Sequence, residues 1–120
     1  MAQAFSHEVL SGSTNGLAVV VAATATAGTT VHTAIAGTTS RDEVWLWAVN
    51  NDADGEARTL TIEWGDVVAT SGWVTPIPCK AGPVLVCPGL PLRNGEVVAA
   101  YADEANDVQV FGYVNRVTVS

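Results

Sequence analysis

The segment NNDADG, residues 50–55, has the residue types and spacing closest to those of a metal-binding loop. Asn50 and the two aspartates that follow at alternate positions precede Gly55, as the first ligands precede the invariant glycine of an EF-hand. The twelfth position, which should supply a bidentate glutamate, is Thr61, and strand-like sequence replaces both flanking helices. We therefore interpret the segment as a polar turn that closes a β-hairpin, and we predict no metal site.

Nucleophilic catalysis would depend on His7 or His32, since the chain has 2 histidines. The sequence contains no G-x-S-x-G elbow, and neither Cys79 nor Cys87 lies in a protease or oxidoreductase signature. The spacing of the two cysteines fits no structural zinc site. His32 lies in the middle of the predicted strand segment TTVHTAIA, where we predict a solvent-facing or interface side chain. The sequence thus predicts no catalytic residue and no cofactor.

The pattern of acidic residues singles out no pair of carboxylates of the kind that glycosidases use. Most of the acids lie in or beside predicted turns, where they keep a surface solvated. Glu63 lies within a predicted strand between Ile62 and Trp64, and alternation directs it to the opposite face, which we predict to be the outer one.

The aromatic residues are the remaining candidates for a functional surface. Trp45 and Trp47 share one face of their predicted strand. The other face is also apolar, since it carries Val44, Leu46 and Ala48. A strand that is apolar on both faces must be covered by a loop, by an N-terminal arm or by another subunit. Exposed tryptophans could instead stack on sugar rings. The predicted partner or subunit interface consists of Trp45, Trp47, Trp64, Trp73, Phe111 and Tyr113.

Length and charge restrict the function classes further. A chain of 120 residues has the length of one domain, and 48% hydrophobic residues can form its core. Five basic against twelve acidic residues give a net charge of -7, which excludes phosphate-driven binding of nucleic acid or of an anionic membrane. The N-terminus lacks the basic and apolar regions of a signal peptide, so we expect synthesis in the cytoplasm with both cysteines reduced.

Alternating β-branched residues, with turn signals between the runs, predict an all-β chain. We predict a single compact antiparallel β-sandwich or barrel-like domain of about eight or nine short strands at residues 16–120. Residues 1–15 are predicted to form an extended N-terminal arm or the first strand. The predicted strands are Phe5–Leu10, Leu17–Ala23, Thr30–Ala36, Glu43–Asn50, Arg58–Trp64, Trp73–Pro78, Val84–Cys87, Val97–Ala102 and Val108–Val119.

Three phrases of the sequence resemble small all-β virion proteins of tailed bacteriophages. They are LTIEWG at residues 60–65, AGPVLVCPGLPLRNGEVV at 81–98 and FGYVNRV at 111–117. The resemblance covers roughly residues 30–117 and includes no catalytic signature. Cys79 and Cys87 stand where ordinary strand residues are expected, so no family role is carried over to them.

The resemblance implies a capsid decoration, or cement, protein of the virion that is made in the host bacterial cytoplasm. Such a protein is not an enzyme; it binds the outer surface formed by the major capsid protein, often as a homotrimer, and reinforces the shell. Two alternatives stay open. One is another phage neck, tail or fibre component, and the other is a carbohydrate-binding β-sandwich that uses surface tryptophans. The orientation of the four tryptophans is expected to distinguish sugar binding from a subunit contact.

Overall fold

The computed structural model describes residues 2–67 and 70–119; Met1, Val68, Ala69 and Ser120 lie outside the described residues. The described part contains nine strands and no helix, which confirms the predicted all-β class. The strands are β1 (Gln3–Val9), β2 (Val19–Val20), β3 (Thr29–Thr33), β4 (Arg41–Asn50), β5 (Arg58–Trp64), β6 (Gly72–Ile77), β7 (Val84–Leu92), β8 (Val97–Ala102) and β9 (Val108–Val119).

The strands form two antiparallel sheets that pack as a sandwich. Sheet A has the order β1-β9-β4-β7, with the short β2 also paired to β9, and sheet B has the order β3-β8-β5-β6. The pairs β1–β9, β3–β8, β4–β7 and β5–β6 are nested along the chain, as in one long hairpin that has been folded across itself. This nested pairing of eight strands over two layers, with the short β2 added to sheet A, is the jelly-roll arrangement, which occurs in capsid, lectin and cupin domains.

The core lies between the sheets because alternate residues of each strand point inward. On β4 the inward residues Val44, Leu46 and Ala48 are fully buried, and across the core Leu60 and Ile62 of β5 are buried as well. Full burial of an aliphatic side chain contributes about 1.5–3 kcal/mol, so a core of this kind stabilises the fold without a disulfide. Both cysteines are free.

The N-terminal residues form an edge strand of sheet A. β1 pairs with β9 from Gln3 opposite Val119 to Val9 opposite Tyr113. It extends the sheet sideways and does not cover the outer faces of β4 and β9. The molecule is elongated, with principal extents of 53 × 27 × 21 Å. The division of the chain at residue 15 stays a prediction.

Most predicted strand bounds agree closely with the structure, and the largest differences occur at β7 and β2. β7 continues to Leu92, whereas the sequence predicted an end at Cys87, before two prolines. Pro88 and Pro91 are accommodated because β7 is an edge strand, and its register against β4 shifts twice, as at β-bulges. β2 is only 2 residues long, although a seven-residue strand was predicted over Leu17–Ala23.

Candidate functional site: an aromatic face on sheet A

Four of the six predicted interface residues lie together on the outer surface of sheet A. Trp45 and Trp47 point outward from β4, and β9 places Tyr113 opposite Trp45 and Phe111 opposite Trp47. All four side chains retain exposed surface, and Phe111 is 40% exposed. We call the surface formed by Trp45, Trp47, Phe111 and Tyr113 the aromatic face.

Three rings of the aromatic face, together with His7 of β1, form a row across three strands. The ring centroids of Trp45 and Trp47 are 6.1 Å apart with an interplanar angle of 17°. Trp47 and Tyr113 follow at 6.2 Å and 21°. His7 on β1 then meets Tyr113 edge-on at 5.4 Å. The row therefore offers a partner several near-parallel rings held on paired strands.

A glycine on the neighbouring strand β7 makes room for one end of this row. A Cβ atom added at Gly89 would lie 2.7 Å from Cε2 of Trp45, closer than atoms can approach. Gly89 also has a φ of +77°, a left-handed conformation that strains other residues. Glycine at this position therefore permits both the β7 backbone geometry and the placement of the Trp45 ring.

Polar side chains border the aromatic face. Glu43 of β4 lies opposite Asn115 of β9 and forms a surface ion pair of 3.3 Å with Arg41. The Oδ1 atom of Asn115 is buried and accepts no hydrogen bond from the described residues. An open depression beside the row is lined by Phe5, Ser6, His7, Glu43 and Asn115. Asn115 therefore lines the depression, but its unpartnered oxygen is itself enclosed.

The other two predicted interface residues, Trp64 and Trp73, lie apart from the aromatic face. Their ring centroids are 5.6 Å apart at 39°, and both rings pack against the buried core. The indole Nε1 of Trp73 donates a hydrogen bond of 3.0 Å to the carbonyl of Val86. Because Trp73 belongs to β6 and Val86 to β7, this bond joins the two sheets. Trp64 and Trp73 therefore stabilise the fold.

A buried polar network that the sequence did not predict joins His32, Asp42 and Arg116. His32 is 1% exposed, so its predicted place on a solvent or interface face is wrong in the described chain. Its Nδ1 accepts the backbone N–H of Ser11 at 3.0 Å, which places the proton on Nε2, 2.7 Å from Asp42. Arg116 donates to both oxygens of Asp42, at 2.8 and 3.1 Å. Neither ring nitrogen is left to activate a nucleophile.

The sequence carried a signal for part of this network. Asp42 and Arg116 are in phase with the buried Val44 and Val114, so strict alternation places both on the inner face. His32 gave no such signal, since the register of β3 shifts beside it. Burial alone would raise the pKa of Asp42, but hydrogen bonds from Arg116 and His32 outweigh it and hold that pKa below its ordinary value.

The NNDADG segment connects the two sheets and does not close a hairpin, so the predicted hairpin is wrong. β4 pairs with β7 and β9, whereas β5 pairs with β6 and β8. Within the loop, the carboxylate of Asp52 accepts backbone N–H groups of Asp54 at 3.1 Å and Glu56 at 2.8 Å. The other carboxylate oxygen of Asp52 accepts a hydrogen bond from Nη2 of Arg58 at 3.0 Å. The oxygens of Asp52, which a cation would need, are thus already bound by backbone N–H groups and by Arg58.

Three further groups, Glu63 and the two cysteines, are held by local contacts or by burial. Glu63, which was predicted to lie on the outer face of its strand, is only 6% exposed because the 24–28 loop covers it; its carboxylate accepts the Gly28 N–H at 2.7 Å and the Thr26 hydroxyl. Burial raises the pKa of Cys87 to about 11, so its thiol stays protonated at neutral pH. The Cys79 thiol instead lies 3.3 Å from the carbonyl of Asp52.

Residues 2–67 and 70–119 contain no group of three or more His, Cys, Asp or Glu side chains placed to hold a metal ion. The same residues include no helix long and apolar enough to span a membrane. Comparison of the chain with protein-family models, curated proteins and solved structures found no match. The candidate site is therefore interpreted from its own geometry.

Proposed function

We propose that the protein is a non-enzymatic decoration protein that binds the outer surface of a phage capsid and reinforces it. The observation that carries the proposal is the aromatic face, a partly exposed aromatic surface on the two central strands of sheet A. Of the three covers that the sequence allowed, the N-terminal residues pair beside the face as β1, and Phe111 stays 40% exposed. The open part of the face is therefore available to another protein surface.

The location of the resembling phrases supports the same proposal. FGYVNRV forms the central part of β9 and supplies Phe111 and Tyr113 to the aromatic face. The β7 phrase supplies Gly89, which accommodates the Trp45 ring. Residues that carry the resemblance therefore build the surface assigned to the partner, as expected where the contact is the function.

The proposed partners are the major capsid protein and other copies of this chain, with a homotrimer expected from the resemblance. Aromatic side chains are enriched at the centres of protein interfaces, where they bury a large area at small entropic cost. Contacts repeated over a capsid lattice then add up by multivalency, so each one needs only moderate affinity. The proposed location is the virion surface.

The test is cosedimentation of the purified protein with expanded capsids of its phage. We expect saturable binding at a copy number that matches the capsid lattice, and we expect Trp47→Ala to weaken it at least tenfold, a loss typical of a buried aromatic anchor. Val74→Ala, which removes an exposed side chain on β6 of sheet B, is the matched control and should bind normally. Absence of binding by the wild-type protein would refute the proposal, and a few copies per particle would indicate a neck or tail component.

A carbohydrate-binding function is the second candidate, and one observation favours it. The near-parallel Trp45 and Trp47 rings offer a stacking surface of the kind a sugar ring needs, and the polar residues Glu43 and Asn115 line a depression on the same sheet. Titration of tryptophan fluorescence with neutral oligosaccharides tests it. A saturable change that Trp47→Ala and Asn115→Ala both abolish would favour sugar binding over the capsid contact.

A further inference from the structure

β1 is an edge strand with one side unpaired. It pairs with β9 along its full length of 7 residues, and six of the seven residues are exposed. Phe5 is 73% exposed and Val9 is 53% exposed. An edge strand that is straight and exposed presents a row of N–H and C=O groups to which another strand can add.

The other described sheet edges carry features that oppose such pairing. β7 contains Pro88 and Pro91 and two register shifts, and β6 contains Pro76. β3 is bulged, and the preceding chain covers its backbone: Gly12 donates to the carbonyl of Val31 at 3.0 Å. β1 has no proline, no lysine and no register shift. The remaining edge strand, β2, has only 2 residues, so among the described edges β1 is the one open to strand addition.

We propose that two copies of the chain associate through β1, which pairs antiparallel with β1 of the second copy about a two-fold axis at Ser6. This register pairs all 7 residues of the strand. It sets Phe5 opposite His7, Ala4 opposite Glu8 and Gln3 opposite Val9 of the other copy. A two-fold interface requires a surface complementary to itself, and this strand meets that requirement.

The arrangement of charge supports the register and a second copy as the occupant. Glu8, the acidic residue of the strand, faces Ala4, so the two carboxylates are not opposite each other. A two-fold axis at Glu8 would place the two carboxylates directly opposite and would pair fewer residues. Phe5 and His7 form an aromatic cross-strand pair on each side of the axis, which stabilises antiparallel sheets.

Pairing through β1 would also extend the aromatic row. His7 already contacts Tyr113 within one copy, so the two rows would meet at the new strand pair in one continuous sheet. Since a contact of 7 residues a side is small for a stable interface, we expect a dimer that dissociates on dilution. The proposal does not depend on the proposed function, because dimerisation is measured in solution without capsids.

The test uses two substitutions of opposite charge at one exposed position. Ala4→Lys would place a cation opposite each Glu8, and Ala4→Glu would place a second anion there. We expect the first to tighten dimerisation and the second to weaken it, each by about two- to thirty-fold relative to wild type. Ala81→Lys and Ala81→Glu make the same charge changes at an exposed loop position, and we expect equal dissociation constants for these two controls, apart from the general effect of net charge.

Sedimentation equilibrium over a range of concentrations supplies the measurement. The expected result is a concentration-dependent dimer of the 12.4 kDa chain whose dissociation constant follows the sign of the charge at position 4. A monomer at every concentration would overturn the proposal, as would a dimer or trimer that responds equally at positions 4 and 81. Capsid binding by a protein that stays monomeric would overturn strand pairing and leave the decoration function intact.

Discussion

Asp42 shows at the residue scale how much a buried charge depends on its partners. Its side chain is fully buried, and its oxygens accept hydrogen bonds from His32, Arg116 and the backbone N–H of Ile35. Removing the charge would leave Arg116 beside a neutral group in a poorly solvated site. The network thus joins β3 of one sheet to β4 and β9 of the other. Removing the Asp42 side chain would leave both His32 and Arg116 without this hydrogen-bond partner.

We predict that Asp42→Asn lowers the free energy of unfolding by about 3 kcal/mol, since one partner of a buried ion pair is lost. Chemical denaturation provides the measurement. Glu43→Gln, the adjacent residue on the solvent side, removes a surface ion pair with Arg41 and should cost less than about 1 kcal/mol. Equal losses for the two variants would show that the buried network contributes no more than a surface pair.

Asp52 gives a pH-dependent prediction. The backbone N–H of Glu56, together with Arg58, lowers the pKa of Asp52 from 3.8 to about 2. Because the folded-state pKa is below the unfolded one, its contribution is complete above pH 3.8 and is lost as the pH falls to about 2. We expect Asp52→Asn to have a lower melting temperature than wild type at neutral pH. As the pH falls from 3.8 to about 2, the melting temperature of the variant should decrease less than that of the wild type.

Thermal melting between pH 5 and pH 2, in steps of about half a unit, measures this effect across both pKa values. Asp54→Asn is the matched control, since its side chain is exposed two residues away in the same loop. If Asp54→Asn flattened the pH dependence of the melting temperature as much as Asp52→Asn, the N–H and Arg58 contacts of Asp52 would not be the cause of that dependence.

Millimolar calcium should leave the melting temperature of the wild type unchanged.

At the element scale, the sequence predicted which residues form strands better than it predicted which strands pair. β5, β8 and β9 have the predicted bounds, because period-2 alternation and turn residues are local signals. The alternation also placed Trp45 with Trp47, and Phe111 with Tyr113. That these two pairs form one face depends on the β4–β9 ladder between distant segments, which no local pattern encodes. The same limit explains the wrong hairpin at residues 50–55.

Gly89 connects the conformation of an edge strand to the aromatic face. We predict that Gly89→Ala destabilises the protein by about 2–4 kcal/mol, as the sum of left-handed backbone strain and a clash with the Trp45 ring. Gly82→Ala is a matched control at φ +80° with no atom within 4 Å of an added Cβ, so it should show the backbone cost alone. Equal destabilisation of both variants in urea would mean that the Trp45 ring moves aside without cost.

At the scale of the whole molecule, an acidic chain carries both an apolar face and an open strand edge. A net charge of -7 keeps copies apart in solution, whereas the aromatic face and β1 favour contact. Long-range repulsion weakens with added salt, but apolar burial and backbone hydrogen bonds do not depend on ionic strength to the same degree. The two contributions can therefore be separated by varying salt alone.

We predict that self-association strengthens several-fold when sodium chloride is raised from about 0.05 to about 0.5 M, since the screening length falls from about 14 to about 4 Å. Sedimentation equilibrium at both salt concentrations measures it. Ala4→Lys should show a smaller salt response than wild type, because part of its affinity would come from attraction to Glu8, which salt weakens. If self-association of the wild-type protein weakened steeply with added salt, attraction between opposite charges would hold the copies together. That result would contradict a contact made by apolar side chains and backbone hydrogen bonds.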